Sequence, residues 1–478
     1  MENKKNTAKL PSECTTIIVG EEMTADGSRI FARSEDFDAL QCKNFQVFHD
    51  TDQGPTEFVA LDSKFRCPLP SKRLGYTAMP DYNYPGEWGS AGFNSLGVGE
   101  SSTETIFSSP KALEADPYVE DGLAENCTYN IVLPYIHSAR EGVLRLGALI
   151  EKYGSAEGFG IGFIDDKETW YLENAGGHRW LACRMPKDKY FVTGNQSRFR
   201  TYDPEDTDNY LASADLISFA AEHGLYDPKK GPFDFHEAYS KDDVNDTTYN
   251  YPRVWGLQAM FSPDIHNDVE KNTFPVFAEA NHKLTVTDLR KAFRFHYDNT
   301  SHDPYLHCNG KEPYRPVSIF RTCQTHLLQV RPWLPKEIGC LTYVAEGMAD
   351  LGVFLPFYQG ISDFPEAYKK GNGKCSADSA YWTFRKVMTL GMTHYNSYAP
   401  LIKETYAKLE AENDKKQKEM EAQFLKLWSS DQTAAKKLLQ DFSDNLLTHA
   451  IVVAEELANE LITQLTADIQ KEYLFHGA

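Results

Sequence analysis

The stretch CTTIIVGEEMTADGSRIFARSED, residues 14–36, places two runs of strand-forming residues on either side of a polar segment. Thr, Ile and Val favour β-strands. The runs Cys14–Val19 and Ser28–Arg33 therefore predict an antiparallel hairpin whose connection is Glu21–Asp26. Cys14 stands at the head of the first strand, and an Arg-Ser-Glu-Asp cluster ends the second.

Two registers are open for this hairpin. A turn centred on residues 23–24 places Cys14 opposite Arg33, and a turn centred on residues 26–27 places Cys14 opposite Ala39. Directly opposed residues of an antiparallel pair have Cβ atoms roughly 5 Å apart. The first register would bring a guanidinium to the thiol, and the sequence alone does not choose between them.

Length and charge exclude several classes of function. The chain has 478 residues, of which 41% are hydrophobic and 25% charged, as in ordinary globular proteins. The length suits about three domains of roughly 150 residues, or one large α/β core with long insertions. The formal net charge of −20 argues against binding to nucleic acid or to an anionic membrane, since both need a basic face.

No targeting or membrane segment is predicted. The first thirteen residues, MENKKNTAKLPSE, contain lysines but no apolar core of a secretory signal. No apolar run reaches the roughly 18 residues that a membrane span needs. The nine cysteines are odd in number and show no CxxC spacing, so neither a disulfide framework nor a zinc knuckle is predicted. We expect a soluble cytoplasmic protein.

The first half of the chain is rich in strand and turn signals. GFGIGFIDDKETWYLENAGGHRWLACR predicts three strands, joined at residues 165–167 and 176–177. The glycines at 158, 160 and 162 alternate, but a strand and not a helix follows them, so a phosphate-binding loop is not predicted. The preceding segment predicts a helix that ends at Gly154. Residues 202–310 predict loops and short elements laid over the core.

After residue 374 the sequence becomes helical. Pro400 is expected to end or kink one helix, and Ser429 with Gln432 predicts a capping box for the last helix. That helix has one apolar stripe, which predicts packing within the chain, with a subunit interface as the alternative. The stripe consists of Leu439, Phe442, Leu446, Ala450, Val453, Leu457, Leu461 and Leu465.

The usual hydrolase and metal motifs are absent. Ser90 stands in WGSAG, which lacks the first glycine of GxSxG, and there is no HExxH. His302 and His307 are five residues apart, a spacing that does not place them on one helical face. We expect no metal and no cofactor.

Cys14 is the remaining candidate for chemistry. The alternative is an inert buried cysteine, but the position at the head of a strand, behind a short polar leader, favours a nucleophile. Removal of the leader would give Cys14 an α-amino group with an ordinary pKa of about 8, suited to take the thiol proton. Arg33 would favour the thiolate, and Asp36 would orient the amine or the guanidinium.

The chain resembles the dipeptidase A family, the N-terminal-nucleophile cysteine peptidases of lactic acid bacteria, which are related to the secernins. The resemblance begins with CTTIIVG and DGSRIFARSED and continues, in the expected order, to the helical tail. Its further segments are EWGSAGFNSLGVGESSTET, YFVTGNQSRFR, YNYPRVWGLQAMFSP, RTCQTHLLQVRPWLPKEIG, FLPFY and YWTFRKV. It implies an α+β fold, the αββα sandwich of N-terminal-nucleophile hydrolases, with a helical C-terminal extension.

The resemblance also implies roles for individual residues. In the wider amidase group of this architecture, the positions matching Cys14, Arg33 and Asp36 hold the nucleophile and its partners. Asn94 and Asn195 match asparagines near the oxyanion and the α-amine. An amide donor aimed at the oxyanion is worth roughly 3 kcal/mol. The alternatives are a turn asparagine at 94 and a loop residue at 195.

The remaining positions concern the substrate. Arg253 could match a distal arginine that binds substrate in the amidase group, or it could form a structural ion pair. Gln324 stands where related sequences have an acidic residue, and residues 342–343 stand where they have a tryptophan. These departures affect the expected substrate preference, not the expected chemistry.

Three functions follow from the resemblance. The first is a metal-independent dipeptidase that hydrolyses a broad range of small peptides through Cys14. The second is an amidase on N-acyl amides such as penicillin V or conjugated bile salts, and the third is a secernin-like interaction protein without catalysis. A dipeptidase must recognise a free ammonium and therefore needs an unpaired carboxylate in its pocket.

The expected organisation has three parts. These are a leader at 1–13 that is removed on maturation, a catalytic core at 14–370 and a helical extension at 375–478. No nucleic-acid or membrane partner is expected, and a homo-oligomer is left open.

Overall fold

The computed structural model describes residues 13–305 and 314–474. Residues 1–12 of the predicted leader, together with His307 and Cys308, lie outside the described residues, whereas Glu13 belongs to the first strand. The strands of the described part are β1 Glu13–Val19, β2 Arg29–Asp36, β3 Gln46–Phe48, β4 Glu57–Val59, β5 Arg66–Pro68, β6 Tyr76–Ala78, β7 Ala91–Phe93, β8 Gly99–Thr105, β9 Phe159–Ile164, β10 Thr169–Ala175, β11 Arg179–Arg184, β12 Tyr190–Thr193, β13 Tyr210–Ala212, β14 Phe277–Ala278, β15 Thr322–Val330, β16 Cys340–Glu346 and β17 Leu355–Tyr358.

Helices occur in both halves and dominate the end of the chain. The α-helices are α1 Pro110–Ala115, α2 Glu125–Val132, α3 Ala139–Tyr153, α4 Leu216–Glu222, α5 Phe235–Tyr239, α6 Tyr251–Phe261, α7 Val286–Phe293, α8 Lys336–Gly339, α9 Ala380–Thr393, α10 Tyr395–Trp428 and α11 Gln432–Glu472. Four 3₁₀ segments join them within the described residues, at Leu133–Tyr135, Val244–Thr247, Ala349–Leu351 and Glu366–Lys369.

Two antiparallel sheets form the centre of the protein. The seven-stranded sheet has the order β14-β12-β1-β2-β15-β16-β17, and the six-stranded sheet has the order β13-β11-β10-β9-β8-β7. The sheets face each other, with β1 and β2 against β8 and β9. Helix α3 covers the outer face of the smaller sheet, and α6, α9 and α11 lie against the larger one. The predicted αββα sandwich with a helical C-terminal region is confirmed.

The smaller sheet contains the three strands predicted from turn signals. β9, β10 and β11 are joined at the two predicted turns and pair antiparallel. A Cβ at Gly162 would collide with the ring of Phe31 on β2 in the facing sheet. Gly162 therefore lets the two sheets approach closely at this point.

Helix α3 ends at the glycine that the sequence predicts. The Ser138 side chain caps it by accepting a hydrogen bond from the Glu141 backbone N–H. Gly154 ends it with a positive φ of 72°, a conformation that favours glycine. The face that packs on the sheet includes the buried residues Ala139, Val143, Leu146 and Ile150.

The β1–β2 register differs from both predicted registers. Cys14 pairs with Glu35, and Arg33 pairs with Thr16. The connection is held by distant segments, because the Ala25 N–H donates to the Leu284 carbonyl. The prediction used only the residues of the hairpin and its turn, so it could not take a contact with residue 284 into account. The register is shifted by two residues from the first alternative, which keeps Arg33 on the same face as Cys14 and makes the two diagonal neighbours.

Two predictions about the helical tail are wrong, namely the capping box at Ser429 and Gln432 and the end of a helix at Pro400. The cap of α11 is Asp431, whose side chain accepts from the Ala434 N–H, and not Ser429 with Gln432. An aspartate directly before the helix satisfies this N–H with no need for a capping box. Pro400 does not end a helix, since it lies within the second turn of α10. The interruption falls earlier, at His394 between α9 and α10.

The apolar stripe of α11 packs within the chain, as predicted. Leu439, Leu446, Ala450, Leu457 and Leu461 are buried, and the other stripe residues are partly buried against the same core. The helix packs on α9 and α10. Among the described helices, none is both long enough and apolar enough to cross a membrane.

The packing of α11 predicts different effects for two aliphatic truncations on the same helix. Leu439→Ala should lower the free energy of unfolding by about 2–5 kcal/mol, because Leu439 is fully buried and its loss leaves a cavity. Ile462→Ala is the control, since Ile462 is 48% exposed and should change stability by no more than about 0.5 kcal/mol. Denaturant unfolding of both variants measures this. Equal losses would contradict the packing of α11 on the core.

Candidate active site

A thiol and a guanidinium meet on the inner face of the β1–β2 pair. Nη1 of Arg33 donates a hydrogen bond to Sγ of Cys14 over 2.9 Å. The two residues are diagonal neighbours across the pair, a separation that a long arginine side chain spans. Both side chains are buried. The structure therefore joins two of the residues predicted from the sequence.

Burial and the charge of Arg33 act on the pKa of this thiol in opposite directions. Burial raises the pKa of Cys14 well above its ordinary value, and the charge of Arg33 lowers it in part. Glu104 and Asp36 add to the increase. In the leader-bearing chain the thiol is therefore protonated at neutral pH, and it needs a base or further stabilisation to become a nucleophile.

Asn195 and Arg253 surround the backbone of Cys14. The Cys14 N–H donates to Oδ1 of Asn195 over 3.3 Å, and Nη2 of Arg253 donates to the same oxygen over 2.8 Å. Nη1 of Arg253 donates to the Cys14 carbonyl and to Oγ1 of Thr15. Burial, with the repulsion of Arg315, lowers the pKa of Arg253 to about 9. Both predicted residues therefore reach Cys14.

Asp36 lies beside this group, with its hydrogen bonds directed elsewhere. Its carboxylate accepts from Oγ1 of Thr322, from the Ser34 hydroxyl and from Nη2 of Arg315. It acts on Cys14 through its charge, which raises the pKa of the thiol. The guanidinium nearest to the Asp36 carboxylate is that of Arg315, which the sequence analysis did not single out.

The structure does not bring Asn94 into the site. Its Nδ2 donates to the carbonyls of Leu133 and Ile136, and its Oδ1 accepts from the N–H groups of Leu96 and Val98. Both amide protons are used by backbone carbonyls of residues 133 and 136, and the amide oxygen is used within the β7–β8 turn. The role predicted for Asn94 at the oxyanion is corrected on this ground, and the alternative of a turn asparagine describes it.

A buried network of charges supports Arg33. Glu35 accepts from Arg33 over 3.4 Å, and its other oxygen contacts Nζ of Lys43 over 2.5 Å. Lys43 also contacts Asp81 over 2.5 Å and donates to Oγ of Ser90 over 2.8 Å. Burial raises the pKa of Glu35, but Lys43 and Arg33 outweigh it and the net pKa is lowered. Glu35 is therefore an ionised anchor for Arg33.

A neutral histidine continues this network. Nε2 of Gln324 donates to Glu35 over 3.1 Å, and Oε1 of Gln324 lies 3.1 Å from Nδ1 of His326. Nε2 of His326 is 2.8 Å from the Ser101 hydroxyl. Burial lowers the pKa of His326 well below its ordinary value, and Arg33 and Lys43 lower it further. The histidine is therefore uncharged.

Glu104 reaches the site because β8 contains a bulge. The pairing of β8 with β9 shifts between Ser102 and Glu104. A bulge reverses the alternation of side chains, and Glu104 consequently accepts from Oγ1 of Thr16 on β1 over 2.7 Å. Its other oxygen, Oε1, has no hydrogen-bond partner among the described residues, although Glu104 is fully buried. Burial raises the pKa of Glu104 to about 8.

The sequence analysis did not identify several residues of this region as parts of the site. Among them are Lys43, Glu104, Asn250 and Arg315. Asn250 precedes Arg253 by three residues at the start of α6, and its Oδ1 accepts from the Asn195 backbone N–H. That helical spacing is a signal that the sequence offered. A buried lysine and a bulge leave no comparable pattern.

No metal centre accompanies the site in the described part of the chain. Within residues 13–305 and 314–474, no group of three or more His, Cys, Asp and Glu side chains could hold a metal ion. His302 stacks on the ring of Tyr314 with centroids 3.8 Å apart. His307, which follows His302 by five residues in the sequence, lies outside the described residues.

Known structures and curated proteins are similar to large parts of this chain. A conjugated bile acid hydrolase from Clostridium perfringens aligns with 75% of the chain and 94% of its own, at 14% identity and a TM-score of 0.33. A "Probable dipeptidase" of Salmonella dublin is 50% identical over 364 residues, 75% of this chain and 83% of that protein. "Dipeptidase A" of Lactobacillus helveticus is 34% identical over 401 residues, 82% of this chain and 84% of that protein.

The family assignment follows from the extent of the match. The sequence profile of Peptidase family C69 matches residues 13–408, which include both sheets and every residue of the group around Cys14. "Probable dipeptidase B" of Lactococcus lactis subsp. lactis is 36% identical over 397 residues, 81% of this chain and 83% of that protein. The chain is therefore a peptidase that belongs to Peptidase family C69.

Proposed function

We propose that this protein is a cysteine-type dipeptidase with a broad range of substrates, in which Cys14 becomes an N-terminal nucleophile. The observation that carries the proposal is the hydrogen bond from Arg33 to Sγ of Cys14 at the head of a central strand. The dipeptidase names of relatives that match most of the chain support the choice of substrate. Small peptides are the expected partners.

The first half of the reaction forms an acyl-enzyme. The α-amine of mature Cys14 accepts the thiol proton, and the thiolate, stabilised by Arg33, attacks the peptide carbonyl carbon. The tetrahedral oxyanion needs a donor. Nδ2 of Asn195 can serve, because one of its protons is used by the Thr105 carbonyl over 3.1 Å and the other has no acceptor among the described residues. The C–N bond then breaks, and the leaving amine takes the proton from the α-ammonium.

The second half restores the enzyme. The α-amine accepts a proton from water, whose oxygen attacks the thioester carbon. Collapse of this intermediate breaks the C–S bond, releases the first amino acid as its carboxylic acid and returns the proton to the thiol. Asn195 and Arg253 hold the backbone of Cys14 during both halves, since they bond to its nitrogen and its carbonyl oxygen.

Maturation uses the same groups. The thiol of Cys14 attacks the carbonyl carbon of Glu13 and forms a C–S bond. The thiol proton passes to the Cys14 nitrogen as the Glu13–Cys14 peptide bond breaks, so the nitrogen is released as the α-amine. Water then hydrolyses the Glu13 thioester. Before this step the nitrogen of Cys14 is an amide that donates to Asn195, so it cannot act as a base.

Removing the nucleophile should abolish activity. Cys14→Ala should lower the hydrolysis of a dipeptide panel by more than about 10⁴-fold, and Cys14→Ser should retain at most slow turnover, because a hydroxyl is the poorer nucleophile near neutral pH. EDTA should leave the wild type unaffected. An active Cys14→Ala variant that EDTA inhibits would contradict the proposal. Turnover of penicillin V or a conjugated bile salt in place of dipeptides would favour the amidase alternative.

Arg33 should control the reactivity of the thiol. In Arg33→Met the pKa of Cys14 should rise, and alkylation of Cys14 by iodoacetamide at pH 7 should slow at least about 10-fold, because an adjacent opposite charge shifts a pKa by about one unit or more. Arg29→Met is the control. It lies on the same strand and bonds to Glu21 and the Asp166 carbonyl instead. Equal alkylation rates in wild type and Arg33→Met would make Arg33 a structural residue.

The active protein should lack its leader. Intact mass and N-terminal sequencing should show a chain that begins Cys-Thr-Thr, whereas Cys14→Ala should keep all thirteen preceding residues. The physical reason is that the attacking group and the cleaved bond belong to the same residue. Fully active protein that still begins at Met1 would rule out the α-amine as the base.

A further inference from the structure

We propose that Glu104 binds the free α-ammonium of the substrate and so makes the enzyme selective for peptides with an unblocked N-terminus. The assignment rests on the dipeptidase function proposed above. It depends on three properties of Glu104, which are its position beside the nucleophile, its unpartnered oxygen and its burial. None of the proposed catalytic steps uses this residue.

Position is the first argument. Glu104 is bonded to Thr16, which lies two residues from Cys14 on the same face of β1. Two residues along a strand span about 7 Å. In a dipeptide the ammonium nitrogen and the scissile carbonyl carbon are attached to the same Cα. A substrate whose carbonyl is about 3–3.5 Å from Sγ therefore has its ammonium within reach of this carboxylate.

The unpartnered oxygen is the second argument. Oε1 of Glu104 accepts no hydrogen bond from the part of the chain that the structure describes, although Arg33 and Arg253 are near enough for their charges to lower the pKa of the carboxyl group. A buried polar atom without a partner is unfavourable and calls for an explanation. An ammonium group would supply both the missing donor and the missing counter-charge. The bulge in β8 directs this side chain towards Cys14, and bulges are frequent next to active sites.

The other acidic side chains near Cys14 are engaged. Glu35 is bonded by Arg33, Lys43, Ser90 and Gln324, and Asp36 is bonded by Arg315 and Thr322. Glu125 accepts from Oγ1 of Thr105 over 2.9 Å. Among the described carboxylates around the nucleophile, Glu104 best meets the requirement of an acceptor for a substrate cation.

A second chemical role for Glu104 is the competing explanation. Burial raises its pKa to about 8, so a protonated Glu104 could donate a hydrogen bond to the oxyanion, as neutral carboxylic acids do in some active sites. Glutamine separates the two roles, because it keeps a donor and loses the charge. The donor role tolerates Glu104→Gln, whereas the ammonium role does not.

The test compares blocked and unblocked ligands on mature wild type and Glu104→Gln. The kcat/KM for L-alanyl-L-alanine should fall about 100-fold or more, mainly through KM, because one partner of a buried ion pair is lost. Protection of Cys14 from iodoacetamide is a readout without turnover. L-alaninamide should protect the variant only at concentrations at least tenfold higher than the wild type needs, and N-acetyl-L-alaninamide should act equally on both.

Glu100→Gln is the matched control. Glu100 lies on the same strand, is fully buried, has an unpartnered Oε2 and a pKa raised to about 8 by burial. It is bonded by Ser102, before the bulge. This variant should keep the wild-type preference for the unblocked ligand. Similar thermal unfolding of the variants shows that each is folded.

The outcomes separate the two proposals. Wild type that hydrolyses the dipeptide, with an unchanged Glu104→Gln variant, overturns the assignment of Glu104 and leaves the dipeptidase function standing. Equal losses in Glu104→Gln and Glu100→Gln also overturn it, because they indicate a structural role. Wild type that hydrolyses no dipeptide overturns the proposed function, and the assignment falls with it.

Discussion

The pairing of β1 with β2 determines the arrangement of charge between the two sheets. It places Cys14, Thr16, Arg33 and Glu35 on one buried face. Removing charges from water costs several kcal/mol per ion, and only close pairing with opposite charges offsets this. Arg33 is matched by Glu35, and Glu35 is matched in turn by Lys43. These ion pairs replace the solvation that the guanidinium loses on burial, so Arg33 can stay fixed beside the thiol.

Local patterns predicted the elements of this fold but not the contacts that set their register. The strands β9 to β11 and the helix α3 could be predicted because turn residues, a terminal glycine and an apolar periodicity lie within or next to the elements themselves. The β1–β2 connection is different, since it is held by carbonyls at Lys187 and Leu284. A register that depends on partners more than 150 residues away cannot be obtained from the hairpin sequence.

The same limit applies to the site. Cys14 and Arg33 were identified from the residues of the hairpin, and Asn195 and Arg253 through the family resemblance. The fold brings all four together. Asn94 lies outside the site because its amide oxygen bonds within the β7–β8 turn and both its amide protons bond to the distant carbonyls of Leu133 and Ile136. Glu104 was not predicted because side chains of a regular strand alternate between its two faces. The bulge in β8 inserts one residue and so changes the face on which Glu104 lies.

The position of Glu104 also connects substrate binding to the reactivity of the thiol. In the empty site, Glu104 raises the pKa of Cys14 and opposes thiolate formation when its carboxyl group is ionised, as it is above its own pKa of about 8. On the assignment proposed for Glu104, the positive charge of a bound substrate ammonium cancels the negative charge of the carboxylate. The charge of Arg33 then acts on the thiol with less opposition, and its effect lowers the pKa. A ligand with a blocked amine cannot cancel the charge of Glu104. The same carboxylate would thus select the substrate and favour the thiolate only when that substrate is present.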